Sequence, residues 1–425
     1  MKKMGKKKII IVVLSVVLLF SGCSTSTDIG NTSKGNLMSQ IKGASWPKSP
    51  NKVDSKFQQS LFDFSWKLFQ ESSQNEGNVL ISPASVYLAL GMAYTGADAG
   101  TSQAIAEALR ATGLSKKNFN TACRNYISIL STLGGRTELS IANSIWYREG
   151  FTPDKDFLQK NADFFAATAE ALDFDKPEAL KAINGWVKKE TNNTIDKIID
   201  SIDRDVVMYL INAVYFKSDW QEPFIASNTG ESQFQSTKGP VTAKFMNRTG
   251  KMDYISKDGV QGVMLPYDDG RFSFFALLPK DGTEVREFIS ELDDEAISSY
   301  LQSITEAPII LSLPKFEVQY EDSLNDEMTH LGMGVAFDRF NADFSQMNAQ
   351  HLKNLFISEI RHKTFCRVDE MGTEASAVTS IAMTETGGWI EPNTPISFDR
   401  PFVYGIVDTV TGAPLFLGLM ENPIE

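Results

Sequence analysis

The sequence predicts an α+β fold built as one large domain. Three observations point there. Apolar residues recur at helical spacing through the first half of the chain, and alternating β-branched and aromatic runs dominate from about residue 206. Between residues 54 and 425 no low-complexity linker and no internal repeat divides the 425-residue chain. Length alone would suggest about three domains, but a boundary needs a polar, Gly- or Pro-rich joint, and none is visible. At 42% hydrophobic and 11% aromatic, the chain can bury a sizeable core.

The first element is a targeting segment, residues 1–22. MKKMGKKK supplies the positive region, and Ile9 to Phe20 are apolar except Ser15. Such a run is too short to span a bilayer and fits a signal peptide. Phe20-Ser21-Gly22-Cys23 resembles a bacterial lipobox, although Phe stands where Leu is usual. Lipidation of Cys23 is expected, which places the protein outside the cytoplasm, in the periplasm or on an extracellular face, anchored to a membrane. Cleavage there removes five lysines and takes the net charge from −12 to −17. Such an acidic body is repelled from an anionic membrane, so a tether makes physical sense. Outside the first eight residues no basic stripe exists, so nucleic acid is not expected as a partner.

Residues 23–53 read as a tether rich in Ser, Thr, Asn, Gly and Lys. Its middle holds Leu37, Met38, Ile41 and Trp46, so it is either a docked strap or a linker with stray apolar residues. A helix follows, with Phe57, Leu61, Phe64 and Leu68 on one stripe behind an Asp54 or Ser55 cap. Ser82-Pro83 opens a second helix. Helical patterns continue at about 101–110, 117–133, 153–166 and 178–200. Strands are expected at 206–216, 261–267, 271–279, 307–319 and 355–369, and a Gly-containing hairpin over 396–420. Cys123 and Cys366 read as buried free thiols. His330, His351 and His362 lack metal-ligand spacing, so no metal or other cofactor is expected. With no G-x-S-x-G and no phosphate loop, the chain does not read as an enzyme.

The unusual segment is VDEMGTEASAVTSIAMTETGGWIEPN, residues 368–393. Written in alternation after Gly372, one face carries Thr373, Ala375, Ala377, Thr379, Ile381 and Met383 and no charge; Glu374 and the serines fall on the other. It is a loop, about 370–395, composed like a strand with one face made for burial.

Glu370-x-Gly372-Thr373-Glu374-Ala375-Ser376-Ala377 resembles the hinge of inhibitory serpins. Further stretches resemble the same family in order: Asn78-Val-Leu-Ile-Ser82-Pro83-Ala-Ser85, Asn212-Ala-Val-Tyr215-Phe216-Lys217-x-x-Trp220-x-x-Pro223-Phe224, Phe398-x-Arg400-Pro401-Phe402, and Pro414-Leu415-Phe416-Leu417-Gly418-x-x-x-Asn422-Pro423. The resemblance covers nearly all of 54–425. It implies a helical cluster, a large central mixed sheet, smaller sheets and an exposed reactive-centre loop. It implies a suicide inhibitor of serine proteases, possibly of cysteine proteases, acting as a monomer. The target cleaves the loop and forms an acyl-enzyme, and the freed strand enters the central sheet and drags the protease with it. Seventeen residues, Glu370 to Thr386, span roughly 55 Å at about 3.3 Å each.

The resemblance also assigns roles. Gly372 permits the hinge reversal, and Thr373, Ala375 and Ala377 enter the sheet first. Ser82, Ser85, Asn212 and His362 match a buried polar cluster beneath the sheet. Trp220 matches the loop's entry point, and Glu370 with Lys315 an ion pair that holds the loop out. Before cleavage Thr373 is expected to face solvent. Counted from the hinge, the scissile bond is Thr386-Gly387, with Glu385 as an alternative first-site residue; counted back from Phe398 it lies near Ile390. Two rivals remain at this point: a non-inhibitory serpin-fold binding protein, which usually carries charge, bulk or proline in the hinge, and a solute-binding lipoprotein, which needs two similar α/β lobes.

Overall fold

The computed structural model describes residues 41–47, 51–131, 136–373 and 394–425. Cys23, Leu37 and Met38 lie outside the described residues, as do Glu374, Ala375, Ser376, Ala377, Glu385, Thr386 and Gly387.

The elements run α1 (Ser55–Ser72), β1 (Val79–Ile81), α2 (Pro83–Gly96), α3 (Ala99–Ala108), α4 (Lys116–Leu130), β2 (Glu138–Arg148), α5 (Lys155–Phe165), β3 (Thr168–Leu172), α6 (Pro177–Glu190) and β4 (Met208–Asp219). Then come β5 (Gly230–Ser236), β6 (Gly239–Lys257), β7 (Val260–Pro266), β8 (Phe272–Leu278), α7 (Val285–Ser290), α8 (Asp294–Gln302), β9 (Thr305–Pro314) and β10 (Phe316–Ser323). Two short helical turns within 325–337 lead to β11 (Arg361–Val368), β12 (Gly372–Thr373), β13 (Thr394–Ser397), β14 (Phe402–Asp408) and β15 (Pro414–Met420).

Two sheets organise the chain. One has the order β10-β11-β12-β4-β2-β3; the other runs β1-β15-β14-β8-β7-β6-β9-β13, with β5 on β6. Both are mixed, since β2–β3 and β9–β13 are parallel and the rest antiparallel. This is the α+β architecture expected, in one large domain.

The helices form for legible reasons. The Asp54 carboxylate caps α1, accepting from the Lys56 and Phe57 amides at 2.9 and 3.3 Å, and Phe57, Leu61, Phe64 and Leu68 are buried. Pro83 starts α2 without a side-chain cap: Ser82 stands at the N-cap position, but its hydroxyl donates to the Leu415 carbonyl at 2.9 Å. Helix α2 is buried on nearly every side, which its apolar sequence requires. It lies under the six-stranded sheet and touches β4 and β15. Cys123 and Cys366 are both buried, and no disulfide joins them.

The structure corrects the sequence expectations at several elements. The helical half hides β2 and β3, which complete the central sheet. The helix expected over 178–200 stops at Glu190. The strand expected over 355–369 begins only at Arg361. The run 307–319 is two strands in different sheets, divided at Lys315, whose amide donates to the Lys244 carbonyl at 2.7 Å. That crossover places Lys315 where the sheets meet.

Residues 41–47 do not behave as bare linker. Ile41 and Trp46 pack on the core, and the Arg124 guanidinium covers the Trp46 ring at 5.4 Å. The Ala44 amide donates to Asp163 at 2.7 Å and Gln159 donates to the Lys42 carbonyl at 3.1 Å. The segment is strapped across α4 and α5.

Candidate functional site

The chain climbs β11 to Val368, turns through Asp369, Glu370 and Met371, and re-enters the sheet as β12. All three carbonyls of that turn are taken. The Trp220 indole N–H donates to the Asp369 carbonyl, the Phe224 amide to Glu370 and the Trp220 amide to Met371, each at 2.8 Å. Trp220 itself is fixed, stacked on Tyr267 at 4.8 Å with Phe274 against its edge. Trp220 thus holds two of the turn's three carbonyls.

Lys315 Nζ meets Glu370 Oε2 at 2.6 Å, and the Thr229 hydroxyl donates to Oε1 at 2.9 Å. Burial pushes the Glu370 carboxyl up, but these hydrogen bonds and one from its own amide outweigh burial and hold it below the ordinary carboxylate value. The carboxylate therefore stays ionised at neutral pH.

Gly372 and Thr373 depart from expectation. Both are buried, and Thr373 is 2% exposed rather than facing solvent. They pair with Asp219 and Ser218 of β4 on one side, and Thr373 pairs with Val368 of β11 on the other. The Thr373 hydroxyl and the Tyr267 phenol are 2.5 Å apart; burial pushes that phenol well up, so it stays neutral. Glycine is required at 372 by close approach, not by a turn conformation. A Cβ there would lie 2.0 Å from the Ser218 carbonyl oxygen.

Below Thr373 the two strands part: among the described residues no ladder joins β4 to β11. The buried polar groups sit under this parting, as two pairs rather than one cluster. The Ser82 amide donates to His362 Nε2 on β11 at 3.0 Å, and the Ser85 hydroxyl donates to Asn212 Oδ1 on β4 at 2.5 Å. One helix end thus grips both lips of the parting. Asn212 donates on to Asn143 of β2 at 2.7 Å. Asn143, Thr229 and Tyr267 are additions that sequence reasoning missed. Asn143 lies on an unrecognised strand, and nothing local marks the other two.

His362 is buried and accepts a hydrogen bond at Nε2, so it must be neutral; burial lowers its pKa to about 4. The folded value lies below the ordinary 6.5, so the unfolded chain takes up the proton first. Its contribution is whole above about pH 6.5 and is lost as pH falls through about 4, on the order of 3 kcal/mol. Denaturant unfolding at pH 7 and 4.5 should show that fall in wild type and a flatter response in His362→Gln. Equal slopes would assign the titration to another group.

Comparison with known proteins agrees with this geometry. The family described as Serpin (serine protease inhibitor) matches residues 59–423. An uncharacterized serpin-like protein of Thermococcus kodakarensis is 32% identical over 86% of this chain and 85% of its own. Human Serpin B8 is 31% identical over 82% of this chain and 94% of its own. The crystal structure of a thermophilic serpin, Tengpin, in its native state superposes with a TM-score of 0.84 at 37% identity, covering 91% of this chain and 99% of that one. With the family pattern spanning residues 59–423 and the fold shared with the thermophilic serpin, the chain belongs to the serpin family.

Proposed function

We propose that this serpin is a suicide inhibitor of a serine protease that cleaves after Thr386. One observation carries the reading: the hinge is threaded between β4 and β11, which no other ladder joins among the described residues. The protease serine attacks the Thr386 carbonyl, the Gly387 amine leaves, and the acyl-enzyme is held on the Thr386 side. That strand then completes the ladders of β4 and β11, which supplies the driving force.

The existing register says where each residue would land. Every residue beyond Thr373 steps one position back along both neighbours. Ala375 then meets Phe216 and Cys366, Ala377 meets Val214 and Thr364, and Thr379 meets Asn212 and His362. Small side chains would enter first, and a hydroxyl would arrive at the polar pairs. Val214 and Asn212 are only half-buried now, although they flank a core face, and would be covered. No charge falls on that face. The Lys315–Glu370 pair restrains the turn until cleavage.

The test is to incubate the protein with elastase-like, subtilisin-like and glutamate-preferring proteases. A complex should survive boiling in detergent, and the released C-terminal peptide should begin at Gly387. Cleavage with no stable complex would point instead to a serpin-fold binding protein. Export and anchoring through Cys23 complete the proposal; Cys23→Ala should abolish incorporation of labelled fatty acid.

Strapping by residues 41–47 bears on the metastable state. Deleting residues 24–50 uncovers the Ile41 and Trp46 sites, worth a few kcal/mol by area. It should shorten the half-life for conversion to a form whose intact loop has entered the sheet. Equal half-lives for both lengths would make the segment a spacer only.

A further inference from the structure

A cavity of about 410 Å³ opens beside the Lys315–Glu370 pair. Four elements enclose it: the β5–β6 hairpin, the β9–β10 crossover, β11 and the C-terminal segment. Its floor is apolar. Phe316 is 3% exposed and Pro423 is buried, while Ile424 at the rim is 60% exposed. Around that floor stand three cations, Lys244, Lys315 and Arg367, and two acids, Glu231 and Glu317. Arg367 is matched by Glu317 at 2.6 Å and Lys315 by Glu370. Lys244 is exposed, stands opposite Glu231 across the β5–β6 ladder, and makes no close ion pair among the described residues.

We propose that the cavity binds an amphiphilic carboxylate, an acid with an aliphatic body of about eight to twelve carbons, which suits a cavity of this size. Its carboxylate lies between Lys244 and Lys315, and its chain covers Phe316, Pro423 and Ile424. Neither half of the site suffices alone. Exposed ion pairs contribute little by themselves, so a small inorganic anion would bind weakly and leave the floor wet. A neutral apolar molecule would gain burial but leave Lys244 without a close ion pair. A ligand carrying both features answers both walls.

Lys315 couples this site to the hinge. Its ammonium already serves Glu370 and cannot serve a second carboxylate equally well. Ligand and Glu370 therefore compete, and the competition is reciprocal: whatever frees Lys315 must tighten the ligand, and the ligand must loosen the hinge pair to the same degree.

Equilibrium dialysis of labelled octanoate against the chain from Ser24 onward tests this without any protease. Saturable binding at one site is expected. Lys244→Ala should weaken it at least tenfold while leaving the melting temperature unchanged, because that side chain is exposed. Glu370→Gln should tighten it several-fold by releasing Lys315. Acetate and 1-octanol should compete poorly. Non-saturable uptake, an unchanged affinity in Lys244→Ala, or equal competition by 1-octanol would overturn the site. An unchanged affinity in Glu370→Gln would overturn the coupling to the hinge. Loss of protease inhibition bears on neither result, so this inference and the inhibitory reading fail separately.

Discussion

Cleavage of the loop between Thr386 and Gly387 is expected to raise the melting temperature, on the order of tens of degrees for a domain in which a few kcal/mol moves it by only several. The sign follows from the parted strands. Over Met208–Lys217 of β4 and Arg361–Arg367 of β11, the sides facing each other carry no ladder among the described residues. Continued in the β12 register, a freed strand would pair as far as Met383 opposite Met208 and Ser380 opposite Arg361. It would bury Val214 and Asn212 and close the parting that now depends on the first turn of α2. The two ends of the loop are held at β12 and β13, and under the proposed mechanism cleavage frees the β12 side to reach a lower state. A protease that nicks the loop without forming a complex suffices for the measurement. Calorimetry of the intact and nicked protein should show a large upward shift. Coincident transitions would mean that the loop does not enter the sheet, and the inhibitory mechanism would fall.

How much of this was legible in the sequence depends on what reported it. The α1 stripe and the β14–β15 hairpin are local patterns, and Asp54, Phe57 and the 402–420 strands follow from them directly. Lys315 shows the limit. The alternation from 307 to 319 runs through it unbroken because the strands on both sides are half-buried; periodicity reports burial and not which sheet a strand joins. Strand β6 was missed for a related reason. Its exposed positions are Pro, Thr, Lys, Asp and Ser, so apolar counting finds too little. The site was legible through family resemblance in its residues but not in its state. Trp220, Glu370 and Lys315 meet at the turn after β11, and the four polar residues fall in two pairs. That Thr373 is already inside the sheet depends on Tyr267, more than a hundred residues away, and no local pattern carries such a contact.

Because Thr373 is already inside, Thr373→Arg should act on the native protein as well as on insertion. The side chain is 2% exposed, lies against the Tyr267 phenol, and is flanked by Val368 and Ser218. A guanidinium there would be buried with no acid to meet it, at a cost of several kcal/mol. The cheaper outcome is that β12 leaves the sheet and the hinge moves into water. Loop cleavage needs only the exposed segment, so recognition by the protease should survive. Insertion must then begin by returning the arginine to the same position. If only about 1.4 kcal/mol of that cost appears in the insertion barrier, the rate falls tenfold. Hydrolysis of the acyl-enzyme wins that race, and the variant is turned over as a substrate. The number of inhibitor molecules consumed per protease inactivated should rise at least tenfold. Glu374→Arg is one residue on and falls on the opposite face in alternation, so its ratio should stay near wild type. Thr373→Val separates charge from hydrogen bonding, since it keeps the branched shape and loses only the contact with Tyr267; it should give a small increase. A ratio in Thr373→Arg equal to wild type would show that Thr373 need not be inside the sheet for inhibition, and would remove the threaded hinge as the starting point of the mechanism.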